Sequence, residues 1–276
     1  MTVSQPLTVL LQDSGSHLSC SFSPAVQIFY EVDENLASSL NLFIITSATN
    51  LNRIAPFVRN INQNHHLKAL LIRADVDAIW LPQIFDRSNL RTLRHTLIFN
   101  QSHETLPQRV INAWDWEAQD QLIANATQIG DRLLVVSCAL EKIEVAFNDL
   151  PSLKVIPEGE RGNFILAEEG SYLYWPQSDI HLDLEALRYV VDPAVKMRMD
   201  TEKLMHDQQF GKAIAQLRKK HHLKQSDIKG LSERQVSRIE QGGTTRVETL
   251  QLFAQAHHMN LNDYLNAVAN LMSLYS

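Results

Sequence analysis

Apolar runs rich in β-branched residues alternate with helical segments in the first half of the chain. Residues 41–47, 67–74 and 95–99 have the sequences NLFIITS, LKALLIRA and HTLIF, a pattern typical of buried strands. Between the first two runs, residues 50–64 repeat apolar side chains at helical intervals behind Asn50, a suitable N-cap. Because strands and helices alternate, the segment predicts an α/β layer with some parallel pairing.

The pattern on either side of this segment is less regular. Residues 1–40 scatter polar residues among short apolar pieces, which predicts a partly ordered lead-in with one or two strands. Residues 77–86 are predicted to be helical or irregular around Pro82, and residues 116–128 to form a polar-faced helix.

From residue 130 the sequence becomes strand-rich. Residues 131–147 predict two strands with a tight link near Ala139–Leu140, and a short helix is predicted at residues 184–191. We therefore expect an α+β or α/β sensing or oligomerisation domain with a mixed sheet over residues 41–195. Residues 196–208 are interpreted as a connector.

The amino-acid composition indicates the cellular compartment in which the protein is expected. The chain of 276 residues is 45% hydrophobic and 20% charged, as in ordinary globular proteins. No apolar run approaches the roughly 18 residues of a membrane span, and no basic region precedes the first apolar stretch, unlike in a signal peptide. Cys20 and Cys138 are the only cysteines and form no CxxC motif. We expect a cytoplasmic protein without a zinc site or membrane association.

Charge is distributed unevenly along the chain. Residues 201–276 contain ten Lys and Arg and seven Asp and Glu, a net charge of +3, although the whole chain carries −6. The first 200 residues therefore carry −9. Such asymmetry indicates a nucleic-acid-binding module joined to an acidic partner domain.

The basic part of the chain has the spacing of about five helices. These helices are predicted at residues 210–223, 225–228, 232–242, 247–259 and 261–275. In the third, Ser232 is a natural N-cap, Gln235 completes a capping box, and Gly242 is a C-terminal stop. Val236 and Ile239 are predicted to face the core.

This helical segment resembles the DNA-binding domain of the Xre/Cro/phage-repressor family of bacterial regulators. The family has a basic first helix, Gln at the head of the second, and a patterned third helix. The matching residues are Gln225, Ser232, Val236, Ser237, Ile239, Glu240 and Gly242. The resemblance implies an all-α helix-turn-helix domain of about five helices over residues 209–276.

The second helix departs from the family pattern. About three residues are missing between Gln225 and the glycine of the turn, which is close to one helical turn at 3.6 residues per turn. Losing a whole turn approximately preserves the direction in which the following side chains point, so Ile228 and Leu231 can still point inward. We expect a short second helix and an intact third helix.

The resemblance also implies the DNA contacts. Residues at the start of the third helix would read base edges in the major groove: Ser232, Glu233, Arg234, Gln235, Ser237 and Arg238. Gln225 and Ser226, with the N–H groups of their helix start, would bind a phosphate. Further backbone contacts would come from Lys219, Lys220, Lys224 and Arg246. Glu240 is expected to be a structural cap or ion-pair partner.

The resemblance therefore implies a transcription regulator that binds double-stranded operator DNA. One short recognition helix reads few base pairs, so we expect a homodimer on a pseudo-palindromic site, with residues 261–275 or the front domain as candidate contacts. An alternative is an antitoxin-like or adaptor protein whose front domain binds a protein partner.

A second resemblance covers residues 130–190. Trp175, Pro176 and Asp179 match the signature of a small bacterial domain family of unknown function, some members of which are fused to an Xre-type domain. This resemblance implies no activity, and the chain has no GxGxxG, P-loop, GxSxG or HExxH motif. We therefore expect neither enzymatic activity nor a cofactor.

Two ligand sites in the front domain stay open as alternatives. Asp179, His181 and Asp183 alternate and could share one strand face as metal ligands, or form a solvated strand edge. A small-molecule or receiver-like pocket could form from polar residues that follow two predicted strands: Thr46, Ser47, Thr49, Asp75 and Asp77. Cys138 ends an apolar run and is interpreted as a buried hydrophobe.

Overall fold

A computed structural model describes residues 6–12, 22–33, 36, 38–91, 93–100 and 105–273. The chain divides into two compact units, Met1–Val191 and Asp192–Ser276. The first has α/β architecture, and the described part of the second is helical. In the part of the chain that the structure describes, no helix combines the length and apolarity needed to cross a bilayer.

A parallel sheet of five strands forms the first part of the N-terminal unit. Its strands are β1 (Thr8–Gln12), β2 (Gln27–Phe29), β3 (Leu42–Ser47), β4 (Leu67–Arg73) and β5 (Thr96–Phe99). They lie in the order β2-β1-β3-β4-β5, and every pairing is parallel. The strands predicted at residues 41–47, 67–74 and 95–99 are confirmed, whereas the predicted mixed sheet is wrong for this layer.

Helices cover both faces of this sheet. They are α1 (Leu51–Gln63), α2 (Leu81–Ser88) and α3 (Leu106–Asp115). Phe43 of β3 packs in the same core as Val110 of α3, whereas its neighbour Ile44 packs with Ile54 of α1. Because successive strand residues enter opposite cores, β3 is buried throughout, which explains the continuous apolar run at residues 42–45.

The strands predicted within residues 1–40 are confirmed as β1 and β2, but the interpretation as a lead-in is wrong for β1, which lies inside the sheet. It pairs with β2 on one side and with β3 on the other, and Val9 and Leu10 are fully buried. The run TVLLQ is too short for periodicity to separate a core strand from an apolar piece of a loop.

The helix predicted at residues 116–128 is also wrong. The preceding helix, α3, ends at Asp115, and the strand β6 occupies Ile123–Ile129. β6 pairs antiparallel with β7, so tertiary pairing overrides the weak helical pattern of its polar residues.

Two antiparallel sheets of three strands complete the N-terminal unit. One contains β6, β7 (Arg132–Ser137) and β8 (Lys142–Ala146). The other contains β9 (Ile165–Leu166), β10 (Leu173–Trp175) and β11 (Ile180–Leu182). They share a core with α4 (Pro151–Lys154) and α5 (Leu184–Val191). The two strands predicted within residues 131–147, and the helix at residues 184–191, are confirmed.

Trp175 is central to that core. Its ring is almost completely buried, and its indole Nε1 donates a hydrogen bond of 3.1 Å to the Arg161 carbonyl oxygen. The Arg161 guanidinium lies 4.8 Å from the centre of the Phe147 ring. Trp175 therefore stabilises the packing of β10, and its polar atom is satisfied by main chain.

The C-terminal unit contains α6 (Pro193–Lys220), α7 (Glu233–Glu240), α8 (Val247–Ala256) and α9 (Leu261–Met272), with a 3₁₀ turn at Gln225–Asp227. Its core includes buried residues from every helix: Ile214, Leu217, Val236, Ile239, Phe253, Tyr264 and Val268. The connector predicted at residues 196–208 lies instead within α6. Asp192 caps this helix, since its carboxylate accepts hydrogen bonds from the amides of Ala194 and Val195.

Candidate nucleic-acid interface

The start of α7 is held by the predicted capping box. The Ser232 hydroxyl accepts a hydrogen bond from the Gln235 amide at 3.3 Å, and the Ser232 amide donates to Gln235 Oε1 at 2.9 Å. The Ser232 hydroxyl also lies 2.8 Å from the same Oε1. Because these bonds satisfy the first amides of the helix, α7 begins at a defined residue, Glu233.

Only one side of α7 packs into the core. Val236 and Ile239 are buried, as predicted. The opposite side exposes Glu233, Arg234, Gln235 and Arg238, with Ser237 half-buried. Among the described residues, neither arginine side chain has a hydrogen-bond or ion-pair partner. α7 therefore presents two unengaged guanidinium groups and one carboxylate to solvent.

The carboxyl end of α7 is fixed by Arg218 of α6. Arg218 Nε lies 2.5 Å from Glu240 Oε1, and a second guanidinium nitrogen lies 3.0 Å from Oε2. Both side chains are only 8% exposed. The hydrogen bonds to Glu240 raise the pKa of Arg218 above its usual value. Glu240 is thus an ion-pair partner, as predicted, and its partner Arg218 is buried, unlike the neighbouring Lys219 and Lys220.

The predicted phosphate site at Gln225 and Ser226 is not formed as expected. The segment is a single 3₁₀ turn, in which the Asp227 amide bonds back to the Lys224 carbonyl. One turn is too short to present a helix N-terminus to an anion. Gln225 Nε2 instead donates a hydrogen bond of 2.8 Å to Glu240 Oε2, so Gln225 helps to hold α7. Ser226 is exposed.

The shortened segment nevertheless keeps its core contacts. Ile228 is fully buried in the C-terminal core, and Leu231 packs against the same core. The prediction that both residues face inward is therefore confirmed.

Close backbone contact sets the position of α7 against α6. A Cβ atom added to Gly211 of α6 would lie 2.6 Å from the Ile239 carbonyl oxygen and from the Gly242 nitrogen. Gly242 has a φ of +91°, which favours glycine. Two glycines therefore allow the end of α7 to approach α6 more closely than a side chain would permit.

Arg238 and Arg246 line one cleft of about 510 Å³ beside α7. Three threonines that the sequence reasoning missed also line it: Thr244, Thr245 and Thr249. The buried hydroxyl of Thr245 has no hydrogen-bond partner among the described residues. The signal in the sequence was the run GGTTR directly after the helix stop. The cleft offers hydroxyl and guanidinium donors next to the exposed face of α7.

The remaining predicted basic residues are exposed but less closely grouped. Lys219 and Lys220 end α6, and Lys224 precedes the 3₁₀ turn. Arg246 is the N-cap residue of α8. All four side chains reach solvent, as phosphate-binding residues must.

The C-terminal unit also buries a histidine. His257, at the end of α8, is 5% exposed, and neither ring nitrogen has a described partner. Burial, followed by the charges of His221 and Arg218, lowers its pKa to about 4. The ring centre lies 4.8 Å from that of His221 and 5.3 Å from that of Tyr264. The pairs His221–His222 and His257–His258 thus contribute one ring each to an aromatic cluster.

The metal site considered at Asp179, His181 and Asp183 is not formed by these side chains. Asp179 lies in a left-handed turn, with a φ of +50°. Asp183 accepts a hydrogen bond from the Ala186 amide at the start of α5. His181 stacks on Tyr174 with ring centres 4.2 Å apart. Among the described residues, no group of three or more His, Cys, Asp or Glu could hold a metal ion.

The polar residues after β3 and β4 do meet at one edge of the parallel sheet. Thr49 donates hydrogen bonds to Asp75 from its amide, at 3.1 Å, and from its hydroxyl, at 2.5 Å. The Ser47 hydroxyl lies 3.0 Å from that of Thr49. Asp77 caps the 3₁₀ turn at Ala78–Trp80, and Thr46 is buried. Ser47, Thr49 and Asp75 therefore satisfy one another, whereas Asp77 and Thr46 bond to backbone groups.

Cys138 is buried, as predicted. Burial raises the pKa of its thiol to about 12, an effect only partly opposed by the charge of Arg109. Cys20 lies outside the described residues.

No protein-family model matches this chain, and no similar curated protein or solved structure is found.

Proposed function

We propose that the chain is a sequence-specific DNA-binding transcription regulator that reads operator DNA with α7 through an Xre-type helix-turn-helix. The observation that carries the proposal is the one-sided exposure of α7. Val236 and Ile239 are in the core, whereas Arg234 and Arg238 extend from the opposite face and have no partner among the described residues. A capped helix with a rigid inner face and free guanidinium groups on its outer face fits the major groove.

The exposed side chains differ in how they would read bases. Arg234 and Arg238 can each donate two hydrogen bonds to guanine, and Glu233 can accept from cytosine. Gln235 is more restricted, because its Oε1 already accepts from Ser232. Only its amide nitrogen is left to donate to a base. Sequence selectivity is therefore assigned mainly to the two arginines.

Phosphate contacts are assigned to the surrounding cations. Lys219, Lys220 and Lys224 lie at the end of α6 and in the following loop, and Arg246 begins α8 beside the cleft. Thr244, which is exposed, adds a hydroxyl donor within the same cleft. These groups carry no base information but would set the position of α7 on the duplex.

Two copies of the chain on a pseudo-palindromic site would supply enough base contacts for specificity, since α7 contains only eight residues. The N-terminal unit is assigned a regulatory role, through a protein or small-molecule effector. The proposed compartment is the cytoplasm.

The test is selection of DNA from a random duplex library with the full chain. We expect a recovered consensus with two inverted half-sites. Arg234→Ala/Arg238→Ala should lose specific binding, with each bidentate contact worth about 1–3 kcal/mol, while its circular dichroism matches the parent. The matched control is Arg132→Ala, in an exposed ion pair of the N-terminal unit. Unchanged operator affinity in the double variant would refute the proposal.

A second candidate is an adaptor or antitoxin-like protein whose N-terminal unit binds a protein. It is favoured by Ile79 and Trp80, adjacent large apolar side chains that are 72% and 54% exposed. The test is an affinity purification with the full chain and with Ile79→Ser/Trp80→Ser. A stoichiometric partner recovered only by the parent supports this candidate, and an equal yield from both proteins contradicts it.

A further inference from the structure

The first part of α6 extends beyond the core of the described residues of its own unit, and its backbone approaches another segment at Asp207 and Gln208, beside Gly242. No residue of α6 before Gly211 is buried. We call residues 193–208 the arm; its length is about 24 Å at 1.5 Å per residue. An isolated helix of this length is only marginally stable in water, because most helical stability in proteins comes from packing of an apolar face. The arm therefore needs a surface to pack against.

The arm has such an apolar face. Met197, Leu204 and Met205 are 72%, 56% and 55% exposed, and the spacing of four and three residues puts them on one side together with Thr201. The Thr201 hydroxyl donates a hydrogen bond of 2.7 Å to the Met197 carbonyl oxygen. Because this hydroxyl is satisfied within the helix, Thr201 can be buried at an interface without losing a bond to water.

From this face we infer that the arm pairs antiparallel with the arm of a second copy of this chain, and so forms the dimer contact. The inference rests on the proposed function for the need of two copies. The contact differs from both candidates predicted from the sequence, residues 261–275 and the front domain. In the described part of α9, no large hydrophobic side chain is strongly exposed.

The order of apolar residues along the arm fits the antiparallel direction. An antiparallel partner centred on Thr201 brings Met197 of one copy opposite Met205 of the other, because each lies four residues from Thr201. The charges select no direction, since three basic and three acidic residues are mixed along the arm: Lys196, Arg198, Lys203, Asp200, Glu202 and Asp207.

The spacing of the two DNA-binding faces agrees with this direction. Gly211 touches the end of α7 and lies ten residues after Thr201, about 15 Å along the helix axis. A two-fold axis at Thr201 therefore separates the two copies of Gly211 by about 30 Å along the paired arms. Adjacent half-sites on one face of a duplex are about 34 Å apart.

The first test measures mass in solution without DNA. Light scattering with size-exclusion chromatography should give a dimer for the full chain at micromolar concentration. Leu204→Lys should weaken the dimer at least tenfold. His206→Lys, which adds similar charge on the opposite side of the arm, should leave it unchanged. A monomeric parent, or a Leu204→Lys protein that stays fully dimeric, would overturn the inference.

The second test determines the relative direction of the two paired arms, and its substitutions add no charge. Met197→Cys and Met205→Cys proteins should form a disulfide-linked dimer when mixed under mild oxidation, and much less when each is oxidised alone. Efficient linkage within either single variant would indicate parallel arms and refute the antiparallel contact. Neither test contains DNA, so a stable arm dimer that selects no DNA would refute the proposed function alone.

Discussion

The guanidinium of Arg218 and the carboxylate of Glu240 form a two-point ion pair, with nitrogen–oxygen distances of 2.5 and 3.0 Å. Arg218 also donates a hydrogen bond of 2.6 Å to the Leu223 carbonyl oxygen, and Gln225 donates to Glu240. The pair therefore connects α6, the following loop and the end of α7. Helix α7 keeps its orientation through charge as well as through its two apolar core residues.

Removing one charge of this pair should destabilise the C-terminal unit strongly. Glu240→Gln keeps the shape of the side chain but leaves Arg218 buried without a counter-charge, at a cost of about 3 kcal/mol. Urea unfolding followed by far-ultraviolet circular dichroism measures the change. Glu144→Gln is the control, because its partner Arg132 is exposed and the loss should be below about 1 kcal/mol. Equal losses would contradict the structural role of the buried pair.

Stability of the C-terminal unit should fall in mild acid because of His257. Its pKa is about 4 in the folded chain and 6.5 for the unperturbed group, so the unfolded state binds more protons between these values. The free energy of unfolding attributable to this group is therefore retained above about pH 6.5. Below that pH it decreases, by at most about 1.4 kcal/mol per pH unit, until the pH reaches about 4.

Urea unfolding at pH 7.5 and pH 5 measures this dependence. His257→Gln should flatten it, whereas His258→Gln, an exposed neighbour, should not. If the parent and His257→Gln proteins lose the same stability between the two pH values, His257 is not the responsible group.

A methyl group at Gly211 should separate α6 from α7. In Gly211→Ala the new Cβ would lie 2.6 Å from two backbone atoms, so the helices must move apart, at a cost of about 1–3 kcal/mol. Gly159→Ala is the control, because an added Cβ there meets nothing within 4 Å. Thermal unfolding of both variants tests this, and an unchanged midpoint for Gly211→Ala would show that the close contact is absent.

The salt dependence of DNA binding should identify phosphate contacts. Lys219→Ala/Lys220→Ala should weaken binding to operator and random DNA alike and reduce the slope of log K against log salt by about 1–2. Fluorescence anisotropy across a salt series measures both. Lys142→Ala, in the N-terminal unit, should leave the slope unchanged. If the variant loses specificity while the slope is unaltered, these lysines contact bases and not phosphates.

Local pattern was sufficient where a residue's neighbours in sequence determine its environment. The capping box of Ser232 and Gln235 spans four residues, and residues 42–45 of β3 are apolar because both faces of the strand are covered. The sequence pattern failed where a partner lies far along the chain. Residues 123–129 form a strand through pairing with β7, and β1 belongs to the core through pairing with β3.

Prediction of the site shows the same limit. One face of α7 could be assigned from spacing alone. The engagement of Gln225 by Glu240 could not, because it depends on how a shortened segment folds back against α7. Nor could the three threonines of the cleft, which join Arg238 only when the loop after α7 returns to the start of α8.

The four tryptophans are Trp80, Trp114, Trp116 and Trp175, and all belong to the N-terminal unit. Residues 192–276 contain none, so intrinsic tryptophan emission is a natural reporter for one half of the molecule. A change in that emission when duplex DNA is added would show that DNA binding by the C-terminal unit alters the surroundings of tryptophans in the N-terminal unit. The same spectrum, followed during an effector search, gives a label-free assay of communication between them.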